Sequence, residues 1–486
     1  MTVVGYTEKV VIIGAGISGL ACAYRLKQLG IPCLVLEAQE RPGGLISTIR
    51  KNGFLFETGP QFPRFPALVW RLVHELNLQS EFVAGDSGAK RYIVRNARLH
   101  RAPFSPGGLL GTRLLGLPSK LRILTEVFGT SKPPLHEESL AEFVQRKFGA
   151  EVLDYLVDPL ISTIFFGDAH KMGMESAFPA LVEWERSQGS LVRGAIRARS
   201  SKRQRPNMDS SLQQVAANGT RDSFHVTSAL PSLGSFRSGM AALPEKLAEN
   251  LHGQVRYGEG IACVARVPNA SDTAKAAWQI VSSSGEKNAS EHLILAVPAY
   301  AAAQLLANAA PQLASQLNTI DYAPVCSVAS AYDRSQVSNA LDGFGFMVPR
   351  REGWETICTF WNSSLLPGRA PEGKVLMTSF AGRAANNGAQ RVGGEACARI
   401  VEAENARALE IAGEPLDRVV WQDPKALPQY NVGHAQRIAE IRNILSMTHG
   451  LGIAGNFLKG RSIGDCVETG FDAADDVHSR IRGEII

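Results

Sequence analysis

Apolar and polar positions along the chain set out a strand, a glycine turn, a helix and a second strand within its first forty residues. Val10-Val11-Ile12-Ile13 is an uninterrupted apolar run, the signature of a strand buried on both faces. Gly14-Ala15-Gly16-Ile17-Ser18-Gly19 follows directly. Leu20, Ala23, Tyr24 and Leu26 then recur at helical spacing, with Gly30 just past the end. A second run, Cys33-Leu34-Val35-Leu36, closes on an acid, Glu37.

The pattern continues with clear breaks. Pro66 to Leu78 reads as a helix through Leu68, Val69, Leu72, Val73 and Leu76, and Arg91 to Arg95 with Leu99 to Arg101 as a hairpin around Asn96-Ala97. Phe104 to Phe128 is apolar and glycine-rich with few charges. Two readings fit it: a buried helical subdomain, or a patch that dips into one membrane leaflet. Leu140 to Phe166 is helical in pattern, with Pro159 expected to end or kink it. Residues 197–228 turn basic and then rich in Asn, Ser and Gln, which reads as a mobile surface insertion. Helical spacing returns over Leu243 to Leu251, Ala301 to Leu306, Glu395 to Ala412 and Asp465 to Arg482. Strands are predicted at Val255 to Val267, Trp278 to Ser282, Leu293 to Pro298, several places between Ser327 and Phe380, and Leu451 to Asn456.

The first unit carries chemistry. Gly14 permits a tight turn, Gly16 lets the backbone approach a pyrophosphate, and Gly19 lets the helix pack close to the strand. The helix N-terminus offers unpaired N–H groups to an anion. Glu37, eighteen residues after Gly19, stands where a carboxylate can accept from a ribose hydroxyl. Nucleotide binding is the expectation. Near the other end, Gly455, Gly460 and Gly464 form a flexible loop, and Ser462 with Asp465 reads as a capped helix start. Strand and helix units of nucleotide type thus occur early, in the middle and late, so the nucleotide domain is expected to be assembled from separated pieces.

Composition narrows the class. At 486 residues two or three domains are expected. A 45% hydrophobic and 20% charged chain is globular. A net charge of +5 suits an acidic small substrate or an anionic membrane surface and falls short of a nucleic-acid signature, so no nucleic-acid partner is expected. Seven scattered cysteines without a CxxC, and histidines without HxxxH or HExxH spacing, lead us to expect reduced thiols and no metal. No signal peptide and no transmembrane run of eighteen apolar residues is read.

Arg41-Pro42-Gly43-Gly44 and Phe56-Glu57-Thr58-Gly59-Pro60-Gln61, placed soon after Glu37, resemble the FAD-binding half of the flavin amine oxidase superfamily. Further stretches are similar to the protoporphyrinogen oxidase family: Glu138 to Val144, Asp158 to Ser162 leading to Phe166-Gly167-Asp168, Ala177-Phe178-Pro179, Gly189 to Gly194, Pro428 to His434, and Gly455-Asn456 with Ile463 to Gly470. The resemblance implies an α/β + α fold: a discontinuous Rossmann-like FAD-binding domain (1–86, 232–297 and 420–486), a mixed-sheet substrate domain (196–231 and 298–419), and a helical, membrane-associated subdomain (87–195). It implies six-electron oxidation of protoporphyrinogen IX to protoporphyrin IX, with FAD as cofactor and O2 as acceptor. Coproporphyrinogen III oxidation and amine or polyene oxidation on the same fold stay open. A cytoplasmic protein peripheral to the inner face of the membrane is expected, and a homodimer is compatible with the resemblance.

Residue by residue, the resemblance implies that Gly14, Ala15, Gly16, Ile17, Ser18, Gly19, Glu37, Ala38, Arg41, Gly44, Leu45, Gly59, Pro60 and Gln61 line the FAD. Ile261 would meet the adenine through its backbone, and Trp421, Ile463, Gly464 and Asp465 would lie by the isoalloxazine. Arg91 matches an arginine for a substrate propionate, and Gly167 a glycine facing the macrocycle. Phe165-Phe166 stands where a Tyr-Ala pair is more usual, which alters the pocket. Leu305, Leu306, Phe344 and Phe346 are the candidates for sandwiching pyrrole rings.

Overall fold

Alternate residues of the strand Thr7–Ile13 face two different apolar cores, which is why the run is apolar throughout. Val10 and Ile12 point into one core, Val11 and Ile13 into the other. In the computed structural model, which describes residues 7–103, 105–128, 134, 136–191, 193–194, 197, 233–268, 276–382 and 393–483, this strand is central to a seven-stranded sheet. It pairs in parallel with Cys33–Leu36 on one side and Lys287–Leu295 on the other. Val255–Arg256 and Leu451–Ile453 extend the parallel pairing, and Ile261–Pro268 with Ala276–Ser282 add an antiparallel edge. Helices Ile17–Gln28, Ala67–Glu75, Ala242–Asn250 and Ile463–Arg482 cover one face. Helices Ala299–Leu306, Pro311–Asn318 and His434–Ser446 cover the other. The strands therefore come from three separated parts of the chain.

The second sheet runs Asp417–Pro428, Tyr322–Asp333, Lys374–Ala381, Thr356–Phe360, Gly343–Met347, Lys90–Arg95, Arg98–Arg101. Only the contact between Gly343–Met347 and Lys90–Arg95 is parallel. Asn96 and Ala97 both take positive φ, as a two-residue hairpin turn requires.

Three domain boundaries need correction. Residues 90–101 join this sheet rather than the helical subdomain, because the edge of Gly343–Met347 pairs with them. Residues 299–318, expected in the substrate domain, close the second face of the first sheet, where Ala299, Ala302, Leu306, Leu313 and Leu317 are buried. Residues 420–428, expected in the FAD-binding domain, complete a long strand of the second sheet.

The helical unit spans Pro106 to Gln188 around Leu140, Phe143, Val144, Leu153, Ile161, Met172 and Met174. Within the helical stretch expected from Leu140 to Phe166 the break falls at Gly149 (φ 91°), not at Pro159. Pro159 sits in the opening turn of Asp158–Phe165, where a missing N–H costs little, and a π-helical turn, Leu153–Val157, precedes it. The basic insertion expected at 197–228 lies, apart from Arg197, outside the described residues. Among the described residues no helix is long and apolar enough to cross a membrane.

Candidate active site

The three glycines of the first turn do different work. Gly14 holds φ at 104°, and a Cβ there would come within 2.6 Å of the Ala296 carbonyl oxygen. A Cβ at Gly19 would come within 2.0 Å of the Gly14 oxygen, so this glycine lets the helix sit against the strand end. Gly16 is different: its φ is −66°, and a Cβ there meets nothing within 4 Å. The protein itself has no steric reason for glycine at 16, and the open space in front of it is what a ligand would fill. Gly16 caps Ile17–Gln28 without any side-chain hydrogen bond, which leaves the first-turn N–H groups of Ile17, Ser18 and Gly19 for an anion.

Glu37 is buried at the end of its strand. One carboxylate oxygen accepts from the Ala15 N–H (2.6 Å) and the other from the Gln39 N–H (2.9 Å). It therefore shapes the glycine turn as well as presenting an acid beside it. Gly258 and Glu259 donate backbone bonds to Gln39 and Glu37, and a Cβ at Gly260, just before Ile261, would lie 3.9 Å from Ala38. The Gly43-Gly44 loop crosses Gly16, with Gly16 and Gly43 bridged as in a parallel sheet. Arg41 pins that loop through the carbonyls of Pro42, Gly44 and Ile46, and Leu45 is left exposed. Gly59 passes so close to the Leu45 carbonyl that a Cβ would lie 2.1 Å from it, with Pro60 following. Gln61 donates to the Glu57 and Gly59 carbonyls and accepts from Asn362 (2.6 Å). Its side chain braces the loop.

The C-terminal loop is held from below. Ser462 and Asp465 form a reciprocal capping box at the start of Ile463–Arg482. Gly464 lies against Pro66, where a Cβ would clash at 2.6 Å, and the Ile463 side chain is buried in the first core. The Tyr430 hydroxyl donates to the Asn456 carbonyl and His434 Nε2 to the Phe457 carbonyl (2.9 Å). This is the physical role of the Pro428–His434 stretch, which pattern reading alone did not assign. Burial lowers the His434 pKa from its ordinary value to about 4. The folded imidazole is thus neutral where an unfolded one protonates, so the unfolded state binds more protons as pH falls from 6.5 to 4. Stability is expected to fall across that window by roughly 3 kcal/mol at most. Thermal denaturation of His434→Gln checks this: its melting temperature loses that part of the acid dependence.

Between the two sheets and the helical unit runs a row of aromatic rings. Phe62 packs on Phe344 (5.0 Å between centroids), Phe344 on Phe360 (5.7 Å), Phe360 on Phe380 (5.9 Å) and Phe380 on Phe166 (5.4 Å). The Arg91 guanidinium lies 4.6 Å over the Phe344 ring. Burial, then the neighbouring Arg64, lowers the Arg91 pKa, and Asp86 opposes them. Phe166 sits in the left-handed region, and Gly167 follows beside Gln429, whose oxygen would be 2.5 Å from a Cβ there. Trp421 packs on the same side, near Phe166 and Phe380.

The four candidates for sandwiching rings part company. Phe344 joins the aromatic row. Phe346 is turned to the opposite face and buried with Tyr332, Trp354 and Trp361. The cause is a register shift between Gly343 and Gly345, with Gly345 at φ 132°, which puts two residues of alternate number on different faces. Leu306 is fully buried behind the dinucleotide sheet with Leu305 packed against the same core, so neither lies in the aromatic row. Sequence reasoning missed Phe62, Phe360 and Arg461. Only the aromatic spacing near Phe344 could have hinted at Phe360.

The family model for flavin containing amine oxidoreductase matches residues 17–478. The chain belongs to the flavin containing amine oxidoreductase family. It is 30% identical over 492 residues to the chloroplastic protoporphyrinogen oxidase of Oryza sativa subsp. japonica, covering 96% of this chain and 87% of the relative. It is 29% identical over 487 residues to the coproporphyrinogen III oxidase of Bacillus subtilis (strain 168), covering 96% and 97%. In fold it is similar to a crystal structure from Exiguobacterium sp. 255-15 provisionally described as a protoporphyrinogen oxidase, with a TM-score of 0.79 at 23% identity over 97% of this chain and 98% of that one. Reduced UDP-galactopyranose mutase superposes with a TM-score of 0.70 at 16% identity, covering 99% and 96%.

A member of this family is an FAD-dependent oxidoreductase, and the residues present fit that group. The open side of Gly16, the uncapped helix start and the positive-φ glycines 43 and 44 form a cradle for a diphosphate. Glu37, Ala38 and Ile261 stand where the adenosine end would lie. Arg41 and Gln61 act by holding the loops, and the capped start of Ile463–Arg482 directs a helix dipole at the site.

Proposed function

We propose that the protein oxidises a porphyrinogen to its porphyrin in tetrapyrrole synthesis, with protoporphyrinogen IX as substrate and O2 as the final acceptor, giving H2O2. The observation that carries this reading is the aromatic row with Arg91 over Phe344 near one end of it. Such a wall suits a flat apolar disc, and the guanidinium suits a carboxylate at its edge. The names of the curated relatives point the same way.

FAD, when bound, supplies the hydride acceptor. The side chains hold and orient. Loss of hydride from a methylene bridge leaves a cation spread over electron-rich pyrroles, so positioning matters more than a strong base. The wall accordingly offers rings and cations. His434, an imidazole facing the C-terminal loop, is committed to the Phe457 carbonyl. Coproporphyrinogen III is the second reading, supported by the Bacillus subtilis relative. An amine oxidase's aromatic cage is poorly supported: Trp354 and Trp361 are buried in one core while Trp421 packs in another. Porphyrin fluorescence, followed after adding each porphyrinogen to the purified protein in air, tests the proposal. Growth of fluorescence with H2O2 release supports it, and amine turnover without porphyrin formation refutes it.

Membrane contact on the cytoplasmic side is part of the proposal. Helix Leu117–Thr125 buries none of its residues, and Leu117, Leu121, Leu124 and Phe128 repeat along one exposed face, with Leu110 nearby and Lys120 beside them. Leu117 is 74% and Phe128 80% exposed. The protein is expected to sediment with anionic liposomes. The triple change Leu117→Asp, Leu121→Asp and Leu124→Asp should leave it in the supernatant at unchanged flavin content.

A further inference from the structure

Arg461 is a second cation, placed beside the Phe166 end of the aromatic row and so away from Arg91. It precedes the cap residue Ser462 in the C-terminal loop, yet its side chain leaves that loop and reaches the helical unit. Its guanidinium lies 4.9 Å over the ring of Phe165. Phe165 packs on Phe178 and Tyr430 and is next in the chain to Phe166, whose ring begins the row that runs on to Phe344 under Arg91.

Among the described residues Arg461 has no hydrogen bond and no ion pair. The nearest carboxylate, Asp465, is committed to its capping box, where it accepts from the Ser462 N–H (3.0 Å) and hydroxyl (2.6 Å). Burial lowers the guanidinium pKa to about 10, so it remains a cation at neutral pH. A partly buried cation with an aromatic floor and no committed anion is costly to keep unless an anion arrives.

We propose that Arg461 anchors a second substrate carboxylate, at the edge of the disc opposite the one held by Arg91. This rests on the porphyrinogen reading and sharpens it. Protoporphyrinogen IX carries its two propionates on neighbouring rings, so one edge is acidic. Coproporphyrinogen III carries a propionate on every ring, so opposite edges are acidic. Arg91 beside one end of the row and Arg461 beside the other would let the site hold coproporphyrinogen III by both edges as well as protoporphyrinogen IX by one, so Arg461 is the residue that sets how well the second substrate is accepted.

The test compares coproporphyrin III and protoporphyrin IX binding to the FAD-loaded protein, together with kcat and KM for both porphyrinogens, in wild type, Arg461→Gln, Arg461→Met and Arg461→Lys. Loss of a charge-assisted hydrogen bond should weaken coproporphyrin binding and raise its porphyrinogen KM by on the order of ten- to a hundredfold. Protoporphyrin binding should change by less than about threefold, with kcat little altered for either. Lysine should restore part of the coproporphyrin affinity. Flavin content and melting temperature identify a variant that is merely misfolded, and the two neutral variants and the lysine variant give three chances of a folded one. Equal losses for the two porphyrins, or no loss for either, overturn the assignment of Arg461. A wild type that binds and oxidises neither compound overturns the porphyrinogen reading itself, whatever the variants do.

Discussion

Valine at position 16 is expected to give a folded protein that releases no yellow chromophore on denaturation. The argument is one of space. Gly16 has a φ any residue adopts, and a Cβ there meets no protein atom within 4 Å. The added side chain occupies the room in front of the first-turn N–H groups, where the diphosphate must approach. Alanine at 14 or 19 is a contrasting control. Those side chains collide with backbone at 2.6 and 2.0 Å, so they disturb the turn itself. Absorbance of the supernatant after heat denaturation, with circular dichroism of the intact protein, separates the outcomes. Native-like dichroism with full flavin content in Gly16→Val would contradict the cradle assigned here.

The second large effect concerns stability. Arg369 is 2% exposed, in the loop that precedes Lys374–Ala381. It donates to the Ser235 hydroxyl and the Phe236 carbonyl and lies 3.6 Å from the Glu57 carboxylate. Glu57 in turn accepts from the Thr48 hydroxyl (2.7 Å) and the Met240 N–H (2.8 Å). Burial raises the Glu57 pKa and lowers that of Arg369, so desolvation outweighs attraction on both sides. Such a pair adds little net stability, but removing one member strands the other. Arg369→Met is expected to cost roughly 3–5 kcal/mol. Adding Glu57→Gln should recover a substantial part, because an amide tolerates that burial better than a lone carboxylate. Denaturant titrations of wild type, both singles and the double variant check this. A double variant that is as unstable as the sum of the singles contradicts the coupling.

The first turn was legible because its causes are local. Strand, glycine spacing, helix periodicity and acid fall within thirty residues, and each leaves a mark in residue type. Gly14 and Gly19 carry the steric demands expected of them, and Gly16 the openness. The second sheet was harder. Its edge at Lys90–Arg95 pairs with residues some 250 positions away, and nothing in a hairpin pattern names its partner. Phe344 and Phe346 looked equivalent by alternation. The bulge at Gly345 separates them, and a glycine inside a strand does not announce which way the chain kinks. Leu305 and Leu306 were attractive as ring-packing residues, yet an alanine-rich helix directly after a buried strand folds back on its own sheet. No pattern in the sequence singles out Arg461. Its place over Phe165, in a different unit of the fold, comes only with the assembled structure. Tyr430 and His434 matched a family stretch without a stated role, and their bonds to Asn456 and Phe457 provide one.

The most direct test of the whole account is an anaerobic titration of the FAD-loaded protein with porphyrinogen, read in the visible spectrum. The account predicts that the flavin bleaches as porphyrin appears, with three flavins reduced for each porphyrin formed, since six electrons leave in pairs. A flavin that stays yellow in the presence of both protoporphyrinogen and coproporphyrinogen, yet bleaches with an amine, would contradict it.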